Sequence, residues 1–133
     1  MDLMSLNSVK SWLDKNTFHC YDYQNLHTLY KLKNNNTISL VMPTLNEEDN
    51  VGTILQTIIK ELNKDYQILD EIILIDGGST DNTLKIVHNL SIKYHILKVV
   101  QEKDILPNYI CKKGKGNQLW KGLYFSKGSI VLY

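Results

Sequence analysis

The chain has 133 residues, 43% hydrophobic and 22% charged, with a formal net charge of +1. This bounds it to one globular domain or part of one and excludes a global electrostatic pull toward nucleic acid or an anionic membrane. Cys20 and Cys111 lie far apart and form no C-x-x-C pair, His19, His27, His88 and His95 lack zinc-ligand spacing, and no apolar run reaches the ~20 residues of a membrane span. Met1–Met4 is not a basic region leading into an apolar stretch, so a cytoplasmic protein with free thiols is expected.

The elements follow in order. Residues 5–15 read as a short amphipathic helix with Leu6, Val9 and Leu13 on one side and Trp12 nearby. Asp22 is placed to cap a second helix over 23–32, where Tyr23, Leu26, Leu29 and Tyr30 share a face. With Asn34–Asn36 as a polar break, residues 1–36 form an N-terminal helical extension packed against a main domain, 37–133.

In the main domain, Thr37–Met42 reads as a buried strand ended by Pro43. Glu47–Leu62 reads as a helix with one stripe of Val51, Ile54, Leu55, Ile58, Ile59 and Leu62. Glu47, Glu48 and Asp49 fall in its first turn, complementing the helix dipole. Glu71–Ile75 is a second strand, followed by a tight turn at Asp76–Ser79 and a helix over 81–92 with Leu84, Val87 and Leu90 inward. Ile96–Val100 is a third strand, Gly116–Ser126 a helix with Leu119, Trp120 and Leu123 inward, and Ser129–Tyr133 a fourth strand.

Strands that are continuous apolar runs, alternating with helices, predict right-handed βαβ crossovers and a parallel sheet covered on both faces. Ligands bind such sheets beyond the carboxyl ends of the strands. Those ends carry Pro43–Glu47, Asp76–Asp81 and Gln101–Gly116.

Each of these segments has two readings. In Pro43-Thr44-Leu45-Asn46-Glu47-Glu48, a carboxylate and loop backbone can meet a nucleotide, or Asn46 caps the helix and the acids serve its dipole. In Asp76-Gly77-Gly78-Ser79-Thr80-Asp81, Asp76 faces a ligand across a glycine turn, or the segment is a plain turn with Ser79 or Thr80 as cap. In Lys112-Lys113-Gly114-Lys115-Gly116-Asn117, Lys115 between two glycines offers a point charge to phosphate at a helix N-terminus, or the loop is a solvated basic face. Five lysines (Lys112, Lys113, Lys115, Lys121, Lys127) and no acid lie between Ile105 and Tyr133, which suits an anionic small molecule. Neither G-x-G-x-x-G nor a Walker A loop is present.

Together these segments resemble the glucosyl-3-phosphoglycerate synthases. The likeness runs through Trp12, Thr17-Phe18-His19, Asp22, Ile38–Gly52, Glu71–Thr83, Leu106-Pro107 and Gly114–Trp120. The resemblance implies an α/β, Rossmann-like GT-A nucleotide-diphospho-sugar transferase fold, here its donor-binding half. It implies transfer of glucose from a nucleoside diphosphate glucose such as UDP-glucose to 3-phosphoglycerate, with retention of configuration. Pro43, Leu45 and Glu47 would then line a uridine pocket, Asp76 and Gly77 would close it, and Lys115 with Gly114 and Gly116 would hold the diphosphate.

A divalent metal, Mg or Mn, is implied for the complete enzyme. The family's Asp-x-Asp motif is expected directly after Tyr133, so no metal ligand set is assigned within the chain and the isolated chain is expected to be inactive. The family usually has Ser after the aspartate of the second motif where this chain has Gly77, a difference of one donor hydrogen bond worth ~1 kcal/mol. The alternatives are a non-catalytic nucleotide-binding module that self-assembles through its last strand, or a GT-A transferase for another sugar such as mannose.

Overall fold

Four parallel strands lie in the order β3-β2-β1-β4: β1 (Ile38–Thr44), β2 (Glu71–Asp76), β3 (Leu97–Gln101) and β4 (Ile130–Leu132). The computed structural model describes residues 3–109 and 114–133, with backbone only for 3–6. Cys111, Lys112 and Lys113 therefore lie outside the described residues.

Side chains alternate across each strand, so the sheet has two faces with separate cores. Leu40, Met42, Ile72, Leu74 and Leu97 pack with Val51, Leu55, Val87 and Leu90 of the helices α3 (Val51–Asn63) and α4 (Thr83–Lys93). On the other face Val41, Ile73 and Ile75 pack with Leu119 of α5 (Lys115–Phe125) and with Ile105. Every residue of β2 is buried, which is why Glu71–Asp76 reads as an uninterrupted apolar run between two acids. The α5 backbone comes close to the sheet at Gly122, where a Cβ would stand 2.3 Å from Val41 Cγ1.

Several boundaries differ from expectation. Pro43 does not end β1: the strand runs to Thr44 and pairs in register with β2 throughout, Thr44 opposite Asp76. Helix α3 starts at Val51 and has no acid in its first turn, because Glu47–Asn50 forms a turn in which Asn50 N and Val51 N both donate to Glu47 O. Ile54 is partly exposed instead of fully inward, as are Trp120 and Leu123 of α5.

Before the sheet come α1 (Leu3–Asn16), a 3-10 turn at Cys20–Tyr23 and α2 (Leu26–Lys33). Asp22 does not cap α2. Its Oδ2 accepts from His19 N at 3.1 Å and closes the 3-10 turn, while Asn25 caps α2 by accepting from Thr28 N. Helix α2 touches the sheet domain through Lys33, whose Nζ lies 2.7 Å from Asp70 and donates to Gln67 O, and through Tyr30 and His27 beside Tyr66. In α1, Val9, Trp12 and Leu13 are all exposed. No helix is long and apolar enough to cross a membrane among the described residues.

Strands β1, β2 and β3 are laid down side by side in one direction. The chain then returns through α5 to place β4 on the far side of β1. This reversal opens a crevice at the carboxyl ends of the strands, where doubly wound sheets bind ligands.

Candidate functional site

The crevice holds a cavity of about 350 Å³ lined by Pro43, Thr44, Leu45, Glu47, Gly77, Glu102, Gly114, Lys115 and Gln118. Three strand ends and the start of α5 contribute. Of the eight residues singled out from the sequence, Pro43, Leu45, Glu47, Gly77, Gly114 and Lys115 meet here. Asp76 lines an adjoining cavity of about 190 Å³ with Gly77, Gly78, Gln101, Glu102 and Lys103. Gly116 lines neither of the two.

The loops after β1 and β2 are bound to each other by side chains of both. Asn46 N donates to Ser79 Oγ at 2.9 Å, Glu47 N to Thr83 Oγ1 at 2.8 Å and Glu48 N to Asp81 Oδ2 at 3.1 Å. In return Thr80 N donates to Asn46 Oδ1 at 2.8 Å, and Glu48 Oε2 accepts from both Asn82 N and Asn82 Nδ2. Asn46 adopts a positive φ of 55°, a conformation asparagine tolerates better than most residues. Thus Asn46 does not cap α3, Glu48 does not serve its dipole, and neither Ser79 nor Thr80 caps α4. All are spent in fixing one loop against the other.

Asp81 has a lowered pKa. Desolvation pushes its carboxyl up, but hydrogen bonds from the Thr83 hydroxyl and from the backbone of Thr83 and Glu48 outweigh it.

Asp76 is 1% exposed. Its Oδ2 accepts from Gly78 N at 2.9 Å and Ser79 N at 3.0 Å, shaping a turn in which Gly78 takes φ 100°. Its Oδ1 is buried with no hydrogen-bond partner, as are Thr44 Oγ1 and Asn117 Oδ1. Buried acceptors left without a protein partner are uncommon in folded proteins, since burial without a hydrogen bond costs free energy.

Three further lining residues, Thr44, Glu102 and Gln118, come from outside the sequence-selected set. Glu102 follows β3, and its Oε1 accepts from Asn117 Nδ2; Lys121 Nζ donates to Glu102 O at 3.0 Å and lies 3.8 Å from Oε1. Gln118 Nε2 donates to Thr44 O at 3.0 Å and Ile75 O at 3.1 Å. Gln118 was legible as the helical i+3 neighbour of Lys115, and Glu102 as a residue just past a strand end. Thr44 carried no separate signal.

The basic segment is not a uniform anion surface. Lys121 is buried against Glu102, and Lys127 lies near the opposite end of the sheet, beside Ser39 and Glu71. Among the described lysines of the segment, Lys115 alone lines the cavity.

The family model for glycosyl transferase family 2 matches residues 39–133. The chain belongs to glycosyl transferase family 2. It is 41% identical over 127 residues to the glucosyl-3-phosphoglycerate synthase of Petrotoga mobilis, which covers 94% of this chain and 38% of that protein. The chain thus spans well under half the length of this relative. Among solved structures, the Mycobacterium tuberculosis glucosyl-3-phosphoglycerate synthase in complex with Mn2+, UDP and phosphoglyceric acid superposes with a TM-score of 0.69. The two are 33% identical, over 80% of this chain and 35% of that one. The same mycobacterial enzyme in complex with Mn2+, UDP-glucose and phosphoglyceric acid gives a TM-score of 0.67 at 33% identity, over 80% of this chain and 35% of that one. The sheet and flanking helices of this family 2 chain therefore have the GT-A, Rossmann-like fold expected from the sequence, and its cavity lies at the crevice of that fold.

Among the described residues there is no group of three or more His, Cys, Asp or Glu side chains placed to hold a metal ion.

Proposed function

We propose that the chain is the donor-binding part of a glucosyl-3-phosphoglycerate synthase. The complete protein would transfer glucose from UDP-glucose to the 2-hydroxyl of 3-phosphoglycerate with retention, in the cytoplasm and with a divalent metal. The observation that carries this reading is the meeting of Pro43, Leu45, Glu47, Gly77 and Lys115 around one cavity at the strand ends. The relative at 41% identity supports the choice of sugar and acceptor.

In this reading the Pro43–Glu47 loop holds the uridine, and its reciprocal bonds to residues 79–83 keep it in place before the donor arrives. Pre-organisation of this kind lowers the ordering cost of binding. Asp76, at the tip of β2, closes the uridine end of the site through the turn it holds at Gly77–Ser79. Lys115, between Gly114 and Gly116 at the start of α5, places its ammonium on the diphosphate. There it offsets the negative charge that grows as the glucosyl bond breaks. Family membership favours this reading over a non-catalytic, self-assembling module, and nothing observed favours mannose as the sugar.

The test is calorimetric titration of the 133-residue chain with UDP-glucose in the presence of magnesium. Saturable binding that weakens in Lys115→Ala is the expected result. Absence of heat at millimolar UDP-glucose would sink the donor-site reading.

A further inference from the structure

Gly77 has no side chain, and the space beside it is taken. A Cβ built there would stand 2.6 Å from Gln118 Nε2, 3.2 Å from Gln118 Cδ and 3.5 Å from Thr44 O. The Gln118 side chain cannot swing away at no cost. It is buried, and its Nε2 donates to the last carbonyl of β1, Thr44 O, and to Ile75 O of β2. Thr44 O also accepts from Gly77 N at 2.9 Å, so one carbonyl gathers the glycine backbone and the glutamine amide.

We propose that Gln118 is the positioning residue of the donor cavity, and that glycine at position 77 is the condition for it. The inference rests on the donor-site reading. Gln118 stands three residues after Lys115 on α5, hence on the same face of the helix. Its two hydrogen bonds fix the first turn of α5 against the ends of β1 and β2. That sets the distance from the Lys115 backbone to the Pro43–Glu47 loop, and so from the site of phosphate charge to the site of the base. A serine at position 77 and a glutamine at position 118 compete for one volume. The missing side chain at position 77 is thus replaced by an amide reaching in from another element.

The experiment compares the 133-residue chain with Gly77→Ser, Gln118→Ala, Gln118→Met and Gly77→Ser/Gln118→Ala. Thermal melting and ligand-observed NMR titrations with UDP and with uridine are read on each. In Gln118→Ala and Gln118→Met, loss of about one net hydrogen bond's worth of positioning lowers UDP affinity about fivefold. Uridine affinity should fall less than about twofold, since the defect lies between base and phosphate. Gly77→Ser lowers the melting temperature by about 4 °C, and the double variant loses less than the sum of the two single variants.

An unchanged ratio of UDP to uridine affinity in both Gln118 variants overturns the positioning role. Additive melting shifts overturn the steric pairing, whether or not UDP binds. A wild-type chain that binds no UDP overturns the donor-site reading, and with it the positioning role, while the melting cycle still decides the pairing. Because Gln118→Met keeps the side-chain volume, a loss confined to Gln118→Ala would assign the effect to a cavity and overturn the hydrogen-bonded role.

Discussion

Glu48 Oε2 accepts two hydrogen bonds from Asn82, one from its backbone N and one from its side-chain Nδ2, each 2.8 Å long. One carboxylate thereby joins the turn before α3 to the entry of α4. With Asn46–Ser79 and Glu47–Thr83, it makes the two loops one rigid rim. Glu48→Ala is expected to cost ~1–2 kcal/mol, because the contacts are charge-assisted but exposed. Urea denaturation reads the cost, and UDP affinity should fall in parallel because the rim loosens.

Glu71 supplies a pH-dependent tie at the opposite end of the sheet. Desolvation raises its pKa, but hydrogen bonds from Lys98, the Ser39 hydroxyl and the Lys127 backbone, with the Lys98 charge, outweigh this and leave it lowered. A carboxyl depressed in the folded state stabilises the fold above its unfolded pKa of about 4.3, and that contribution is lost as pH falls through the lower folded value. Stability from urea titrations should therefore fall as pH drops below about 4.3, and Glu71→Gln should flatten that fall. A profile in Glu71→Gln as steep as in the unmodified chain would assign the acid sensitivity elsewhere.

Lys115→Ala should lower UDP affinity about tenfold or more, the worth of a charge-assisted contact, and leave uridine affinity near its starting value. Parallel titrations with the two ligands check it. Equal losses for both would mean that Lys115 acts on the shape of the pocket and not on phosphate.

Gly122→Ala tests the packing of α5. The added methyl would stand 2.3 Å from Val41 Cγ1 and 2.8 Å from Ile75 Cδ1, both in a core with little room to give. Overpacking of this kind costs ~1–3 kcal/mol. Thermal melting should show the loss, and UDP affinity should fall with it, because α5 carries Lys115 and Gln118.

Much of the molecule was legible from residue types in order. Four apolar runs separated by amphipathic stretches predicted a parallel sheet, and the sheet forms, but only β2 is buried throughout, while β4 at the edge of the described sheet is exposed at Ile130 and Leu132 instead of buried. The carboxyl-end rule then pointed to the segments Pro43–Glu47, Asp76–Asp81 and Gln101–Gly116, and the family resemblance to Pro43, Leu45, Glu47, Gly77 and Lys115 within them; these five line one cavity. Local pattern misled where a side chain's partner is distant in sequence. The acids Glu47-Glu48 before an apolar stripe look like a helix start, and Ser79-Thr80 look like caps. Both motifs satisfy each other's backbone across more than thirty intervening residues, and no local rule registers such bonds.

The sequence by itself determined the element types and the end of the sheet at which the cavity lies, because burial periodicity and loop composition are encoded residue by residue; the family came from the resemblance of its motifs. Only the tertiary structure decided that Lys121 is spent on Glu102, that Asp76 keeps a buried oxygen without a partner, and that Gln118 stands beside Gly77. Those relationships depend on how closely α5 approaches the sheet, a distance set by the glycine at position 122 and by packing across strands far apart in the chain.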